Sequence, residues 1–503
     1  MSGPKTLAQV RKAVNDGANV VPLVRQFHAD TLTPVGAFLR IRQPDEPSFL
    51  LESVEGGEHF ARYSFLGARP LETITVENGV AGFRRSDGEG VLEGCPFKAL
   101  GERLERFRAL DEPGLPRFCG GAVGHVGYEM VRYLEPSVDL KVPEGPEARL
   151  MVFGNVVAFD RLKHRVLLIA SVIADGSGSL KSAYDKAVDA LDDMEERLRR
   201  PPGAPSSLID LAGDGTGAFP DGPGLKGQMG AEAFMDGVRR LKRRIKAGDI
   251  FQAVLSEQFD VPLKADPFEV YRRLRAINPS PYMFFVGTRD DAVLGASPEM
   301  LVRVDGDKVQ TRPIAGTRPR GADDAEDQRH ERNLLASVKE RAEHIMLVDL
   351  GRNDVGRVAR PGTVRVPSLM QVERYSHVMH MVSSVQAVMR RGLSPWDAFA
   401  ACFPAGTVSG APKIRAMQLV SGIEPVPRGP YAGAVVYRDF RGNLDSCITI
   451  RSLSVKGRGD ARRAVFQAGA GIVADSRPAS ELREIQSKAG AVLESIGLAQ
   501  ERP

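Results

Sequence analysis

Four glutamates in two distant stretches could together hold a hard cation. Glu340 and Glu343 stand three apart in KERAEHIMLVDLGRND. Glu481 and Glu484 repeat the spacing in SELREIQSKAG, with Lys488 one turn beyond Glu484. Residues three or four apart share a helix face. Two such faces meeting would offer oxygen ligands suited to Mg2+, an ion that usually binds together with an anionic substrate. Two solvated helix faces are the simpler reading of glutamates so spaced. Against it, the first stretch continues Ile345, Met346, Leu347, Val348, Leu350, apolar on every side. That predicts a buried helix with a carboxylate facing a cavity at its head.

Other segments carry groups for binding and proton transfer. FPAGTVSGAPKIRAMQL (403–419) is a Gly-rich loop feeding a helix, with Pro412 suited to the first turn, so its free backbone N–H groups suit an anion. A tight structural turn is the competing reading. It is not a P-loop, because Lys413 lacks the preceding glycine spacing and the following Ser or Thr. QAGAGIVADS (467–476) is a second Gly-rich turn, where Gly469 and Gly471 would let backbone approach a ligand. RYSHVMHMVSSVQ (374–386) sets His377 and His380 three apart, without a carboxylate at zinc-ligand spacing, so proton transfer is favoured over metal binding. PIAGTRPRG (313–321) places a Thr and two Arg after a Gly turn, and Arg suits carboxylate recognition.

The elements that must position these groups read as mixed. Helices are expected over 181–200, 231–247, 265–276, 325–350, 410–421 and 478–495. Tight hairpin turns are expected at Asn78-Gly79, Asp305-Gly306 and Gly442-Asn443. Strands joined by tight turns, with helices between groups, predict an α+β fold with large antiparallel β-sheets. Residues 201–230, rich in Pro, Gly and Ser, read as a linker between an N-terminal region (1–200) and a C-terminal catalytic region (231–503).

The chain has 503 residues, 68 Lys+Arg against 64 Asp+Glu, and a net charge of +4 spread along its length. Nucleic-acid binding needs clustered basic residues and is not expected. Cys95, Cys119, Cys402 and Cys447 are far apart, with no CxxC spacing, so neither zinc nor a disulfide framework is expected. The apolar run Val166–Ala174 is too short for a bilayer, and the N-terminus lacks an apolar signal core. A soluble cytoplasmic protein, not a membrane one, is expected.

Eight segments occur in a telling order: PIAGTRPRG, AEHIMLVDLGRNDVGR, HVMHMVSSVQ, FPAGTVSGAPKIRAM, RGPYAGAVVY, CITIRS, QAGAGIVADS and SELREIQSKAG. That order resembles the chorismate-utilising enzyme family, densely over about residues 230–495 and more thinly before them. The resemblance implies a sandwich-like core of large antiparallel sheets with helices packed outside. Family siblings differ at two positions. Aminodeoxychorismate synthases carry a nucleophilic Lys where this chain has Ala315. Isochorismate and salicylate synthases carry a water-activating Lys where it has Gln252. Both substitutions point to ammonia as nucleophile, hence to the branch that converts chorismate to anthranilate and pyruvate. An aminodeoxychorismate synthase component and a non-catalytic tryptophan-binding protein on the same scaffold are the alternatives.

The resemblance also implies roles. Mg2+ would be held by Glu343 and Glu484, with Glu340, Glu481 and Gln252 behind them. Glu299, in ASPEM, would be the general acid, its pKa raised by burial beside other carboxylates. His380 would be the base. Gly316, Thr317, Gly406, Thr407, Tyr431, Arg451, Gly469, Gly471 and Lys488 would contact chorismate. In the N-terminal region Leu51, Glu52 and Ser53, with partners Pro281, Tyr282 and Met283, resemble the family's site for feedback L-tryptophan. No Gly-x-Cys-x-Gly nucleophile turn occurs, so glutamine-derived ammonia would need a separate glutaminase subunit, whereas high ammonium would support the chain alone.

Overall fold

The computed structural model describes residues 4–53, 62–176, 178–201, 227–375 and 378–501. Most of the expected linker (202–226), part of the 49–67 segment (54–61) and His377 lie outside the described residues.

Two antiparallel sheets dominate. The first has eleven strands, running from Val20–His28 at one edge through Ser48–Glu52, Tyr282–Gly287 and Arg463–Ile472 to Gln252–Pro262 and the short Gly410–Ala411. The second has twelve, with Ile314–Pro319, Arg365–Arg374 and Val378–Val388 at one side and Gly88–Leu92 at the other. Each sheet takes strands from both sides of 201–230. Ser48–Glu52 pairs with Tyr282–Gly287, and Gly121–Val126 pairs with Ala434–Asp439.

Strand alternation builds the layers. Phe49 points into a core between the sheets and Leu50 into the core beneath the helices; Phe284 and Phe285 divide the same way. Successive side chains on a strand face opposite sides, so a strand buried on both faces reads as an unbroken apolar run. Between the sheets Phe49 packs edge-on against Phe153, ring centres 4.6 Å apart, and Phe118 against Tyr437 at 5.0 Å. Leu180–Arg199, Ala231–Lys246, Pro267–Ile277 and Pro478–Glu501 cover the outer face of the first sheet. Pro96–Leu104, Val338–Gly356 and Pro395–Cys402 cover the second. The expected α+β sandwich with outer helices is the observed architecture.

Three local expectations are corrected. The helix expected over 325–350 is two, Asp324–Ala336 and Val338–Gly356, because Ser337 leaves helical geometry and its hydroxyl caps the Glu340 N–H at 3.3 Å. The second of these is not buried all round. Leu347 and Val348 are buried, while Val338 is 82% and Ile345 47% exposed, so the run of apolar letters covered both a core face and a surface. The helix expected to begin at 410 starts at Lys413, since Gly410–Ala411 pairs with Gln252–Ala253 as a strand.

Candidate active site

Two of the chain's crossings from one sheet to the other lie side by side, and each carries a candidate residue. Glu299 lies between Asp291–Ser297 of the first sheet and Met300–Asp305 of the second; Arg451 lies between Leu444–Ile448 of the second and Ser452–Lys456 of the first. The crossings are laced together: Ile448 N–H donates to Glu299 O at 3.0 Å, and Ala296 N–H to Arg451 O at 3.0 Å. Arg451 turns the corner at φ 51°. A side-chain-bearing residue in that region stores strain, which persists where surrounding structure over-determines it.

The four glutamates come from the two expected helices. Burial raises the Glu343 pKa first, then Glu340, with Glu484 adding to it; burial likewise raises Glu481, with Glu484 adding. A carboxylate raised by burial and by neighbouring carboxylates favours an added cation. Gln252 Nε2 donates to Glu343 Oε1 at 3.4 Å, and its side-chain carbonyl oxygen is buried without a partner among the described residues. Glu340 is held by Arg318 at 3.0 Å, and Lys488 pairs with Glu484 at 2.6 Å while donating to Gly469 O at 2.9 Å. Among the described residues no group of three or more His, Cys, Asp or Glu could hold a metal alone. The donor set fits a cation that completes its shell with substrate and water oxygens.

Thr317 and His380 face each other across paired strands, Oγ1 to Nδ1 at 3.0 Å, with Gly316 O 3.3 Å from the same nitrogen. A carbonyl only accepts, so Nδ1 carries the proton and Nε2 presents a lone pair. Burial, assisted by Arg451, lowers the His380 pKa against the pull of Gly316 O and Glu373. The imidazole is therefore neutral at pH 7. Gly316 makes the bulge between Ala315 and Thr317 at φ 71°, where a Cβ would meet Leu334 at 2.9 Å.

Glu299 is buried, and burial pushes its pKa up to about 8, against contacts with the Thr407 hydroxyl and the Ile314 amide. Of the two expected contributions, burial raises it and neighbouring carboxylates do not; desolvation suffices. Thr407 sits on the short helix Gly406–Ser409, where a Cβ on Gly406 would fall 1.9 Å from Leu350.

The glycines of QAGAG serve side chains as well as backbone. A Cβ on Gly469 would stand 2.5 Å from the Tyr431 hydroxyl, and one on Gly471 2.7 Å from Gln252 Nε2. Gly469→Ala is therefore expected to displace Tyr431 and raise the KM for substrate about tenfold with the fold intact, a small misplacement having a large effect. Parallel KM and melting measurements check it.

The candidates thus form one linked set. The arginines of PIAGTRPRG are spoken for, Arg318 by Glu340 and Arg320 by Asp327 at 2.6 Å. Two charged pairs beside the site lie outside the expected site residues. Lys413 binds buried Asp354 at 2.9 Å, tying the Gly-rich loop to Val338–Gly356, and Arg428 binds Glu424, four residues before it, at 2.8 Å. Asp354 and Lys413 are far apart in the chain, whereas the Glu424–Arg428 spacing is visible in the sequence.

A cavity of about 790 Å³ lies elsewhere, between the sheets. Leu51, Ser53, Pro281, Tyr282 and Met283 line it, as does Glu52. Glu52 accepts from Tyr271 at 2.8 Å and Arg275 at 2.9 Å, so its carboxylate braces the wall. Ser53 Oγ is buried without a partner among the described residues. Across the gap Tyr282 donates to Asp445 at 3.1 Å, and Arg303 pairs with Asp445 at 2.6 Å.

Residues 46–494 match the family model described as chorismate binding enzyme. The chain is 42% identical to the anthranilate synthase component 1 of Acetivibrio thermocellus over 98% of each chain. It is 44% identical to that of Streptomyces coelicolor over 96% of this chain and 90% of the other. The crystal structure of anthranilate synthase component I from Streptococcus pneumoniae superimposes with a TM-score of 0.75 at 34% identity, over 93% of this chain and 99% of that one. The menaquinone-specific isochorismate synthase of Escherichia coli shares the fold, TM-score 0.70 at 17% identity, over 97% and 98%.

Proposed function

The chain belongs to the chorismate-binding enzymes, and within that family we propose that it is the large subunit of an anthranilate synthase, a lyase that turns chorismate and ammonia into anthranilate and pyruvate. The observation that carries the reading is the pair Ala315 and Gln252. Ala315 offers no nucleophile, and Gln252 spends its amide on Glu343, so neither a lysine nor an activated water can attack the ring. Full-length relatives bearing that name support it.

Arg451, Lys488 and Tyr431 hold the substrate carboxylates, with the Gly406–Gly410 loop, Gly316 and Thr317 completing the pocket. Mg2+, on Glu343 and Glu484, would supply a charge sink for the ring carboxylate, with Glu340 and Glu481 behind. Ammonia forms the bond at C2 while the C4 hydroxyl leaves as water, taking the proton that Glu299 holds at neutral pH, and the C2 ammonium so formed sheds a proton to solvent while Glu299 regains one. His380 Nε2 then accepts the C2 proton, the C3–O bond breaks, the ring becomes aromatic, and the expelled enolpyruvate gains a proton as pyruvate.

The inter-sheet cavity is assigned to feedback tryptophan. Arg303 and Asp445, facing it, stand on the strands that end beside Glu299 and Arg451, which gives occupancy a physical route to the chemistry. Ser53→Ala is expected to weaken tryptophan inhibition about tenfold and leave uninhibited turnover unchanged, because an unpaired buried polar partner costs about 1–3 kcal/mol. An inhibition curve against wild type checks it. A separate glutaminase subunit delivers ammonia in the cell.

Fluorescence of anthranilate formed from chorismate, Mg2+ and ammonium by the purified chain tests the whole reading, with and without tryptophan. Anthranilate suppressed by tryptophan is expected. Another product moves the chain to a sibling activity, and no turnover with retained tryptophan binding overturns the enzyme.

A further inference from the structure

We infer that Arg428 is a positioning residue for the substrate site, a single guanidinium setting the spacing of the Thr407 loop, the Gln252 strand and the Tyr431 ring. This rests on the proposed function, which takes those three as belonging to the chorismate pocket. Arg428 is 3% exposed. Its Nη1 donates to Val408 O at 2.7 Å and its Nη2 to Val254 O at 2.7 Å. Nε and Nη2 both donate to the Glu424 carboxylate at 2.8 Å. Glu424 in turn accepts from Ser256 N–H at 2.9 Å and Ser256 Oγ at 2.7 Å. The guanidinium lies over the Tyr128 ring at 4.6 Å and 5.8 Å from the centre of Tyr431.

Both tethered carbonyls stand within two residues of a pocket residue. Val408 follows Thr407, Val254 is two along from Gln252, and Tyr431 is three along from Arg428 with its hydroxyl against Gly469. Loop, strand and ring come from separate parts of the chain, so local structure cannot set their distances. A planar fork with fixed donor directions can, and a lysine ammonium cannot copy it. Burying such a pair gains little net stability over apolar packing, and shape of the neighbouring pocket is what its geometry specifies.

Arg428→Lys, in the full chain, tests this beside Arg103→Lys. Arg103 also makes a buried fork, to Glu72 at 2.7 and 2.6 Å, toward the far side of the second sheet. Arg428→Lys is expected to raise the chorismate KM and lower kcat together, costing about a hundredfold in kcat/KM, while the tryptophan inhibition constant stays within twofold of wild type, roughly the spread of independent sites. Arg103→Lys is expected to lose melting temperature and keep both kinetic constants. Wild-type kinetics in Arg428→Lys would overturn the inference, as would the same kinetic loss in Arg103→Lys. Should Arg428→Lys fail to fold, Glu424→Gln, which keeps the shape, decides on the same constants. If wild type makes no anthranilate, the activity reading fails on its own, and calorimetric binding of chorismate decides: weaker in Arg428→Lys supports the inference, equal overturns it.

Discussion

Glu299→Gln is expected to lower kcat by about 10²–10⁴, the range for a positioned general acid, with chorismate binding nearly unchanged. The carboxyl holds its proton up to about pH 8 because it is buried, its ordinary value being 4.5. His380 is neutral down to below its ordinary 6.5. The wild-type kcat/KM profile should therefore be bell-shaped, its acid limb below 6.5 from His380 and its basic limb near 8 from Glu299. In Glu299→Gln the basic limb should vanish from the residual activity. Stability carries an independent signature. A carboxyl whose folded pKa is raised contributes stability that is fully present below its unfolded value and lost as pH rises through its folded one. Glu299→Gln should therefore melt higher than wild type above pH 8 and gain least near pH 4. A basic limb that persists in the variant would remove Glu299 from the acid role.

Glu484→Gln is expected to cut activity by about two orders of magnitude, since a cation on the substrate carboxylate supplies several kcal/mol of charge stabilisation. The Mg2+ concentration for half-maximal rate should rise at the same time. Glu484 also holds Lys488 at 2.6 Å, so the variant frees that ammonium. A loss due only to Lys488 would raise the chorismate KM and leave the Mg2+ requirement alone. Titrating Mg2+ at saturating chorismate separates the two, and full activity at wild-type Mg2+ would sink the metal role. The fold should survive, because Glu484 is on an outer helix with its side chain about half exposed.

Parts of this site were legible because local rules produce them. Glutamates three apart share a face in any helix, so the two pairs were visible before any folding. Asn78-Gly79 turns a hairpin through its own backbone preferences. Leu180–Arg199 starts where the Ser179 hydroxyl caps it, as local rules favour. The all-round apolar helix was misread because a composition rule cannot say which face meets a sheet, and Ile345 proved exposed. Ser337 was missed as a break, although its type is that of an N-cap.

What the sequence determined by itself was the inventory and its local frames: which carboxylates share a helix face, which glycines open a turn, which sibling lysines are missing at Ala315 and Gln252. What only the tertiary structure decided was the electrostatic state of those groups. Glu299 keeps its proton because two sheet crossings bury it, and neighbouring charges do not contribute. Gly469 and Gly471 lack side chains because Tyr431 and Gln252 need the space. Arg428 ties together three segments distant in the chain. Desolvation and close contact depend on everything that surrounds an atom, and that surrounding exists only once strands from both halves of the chain have closed into the same two sheets.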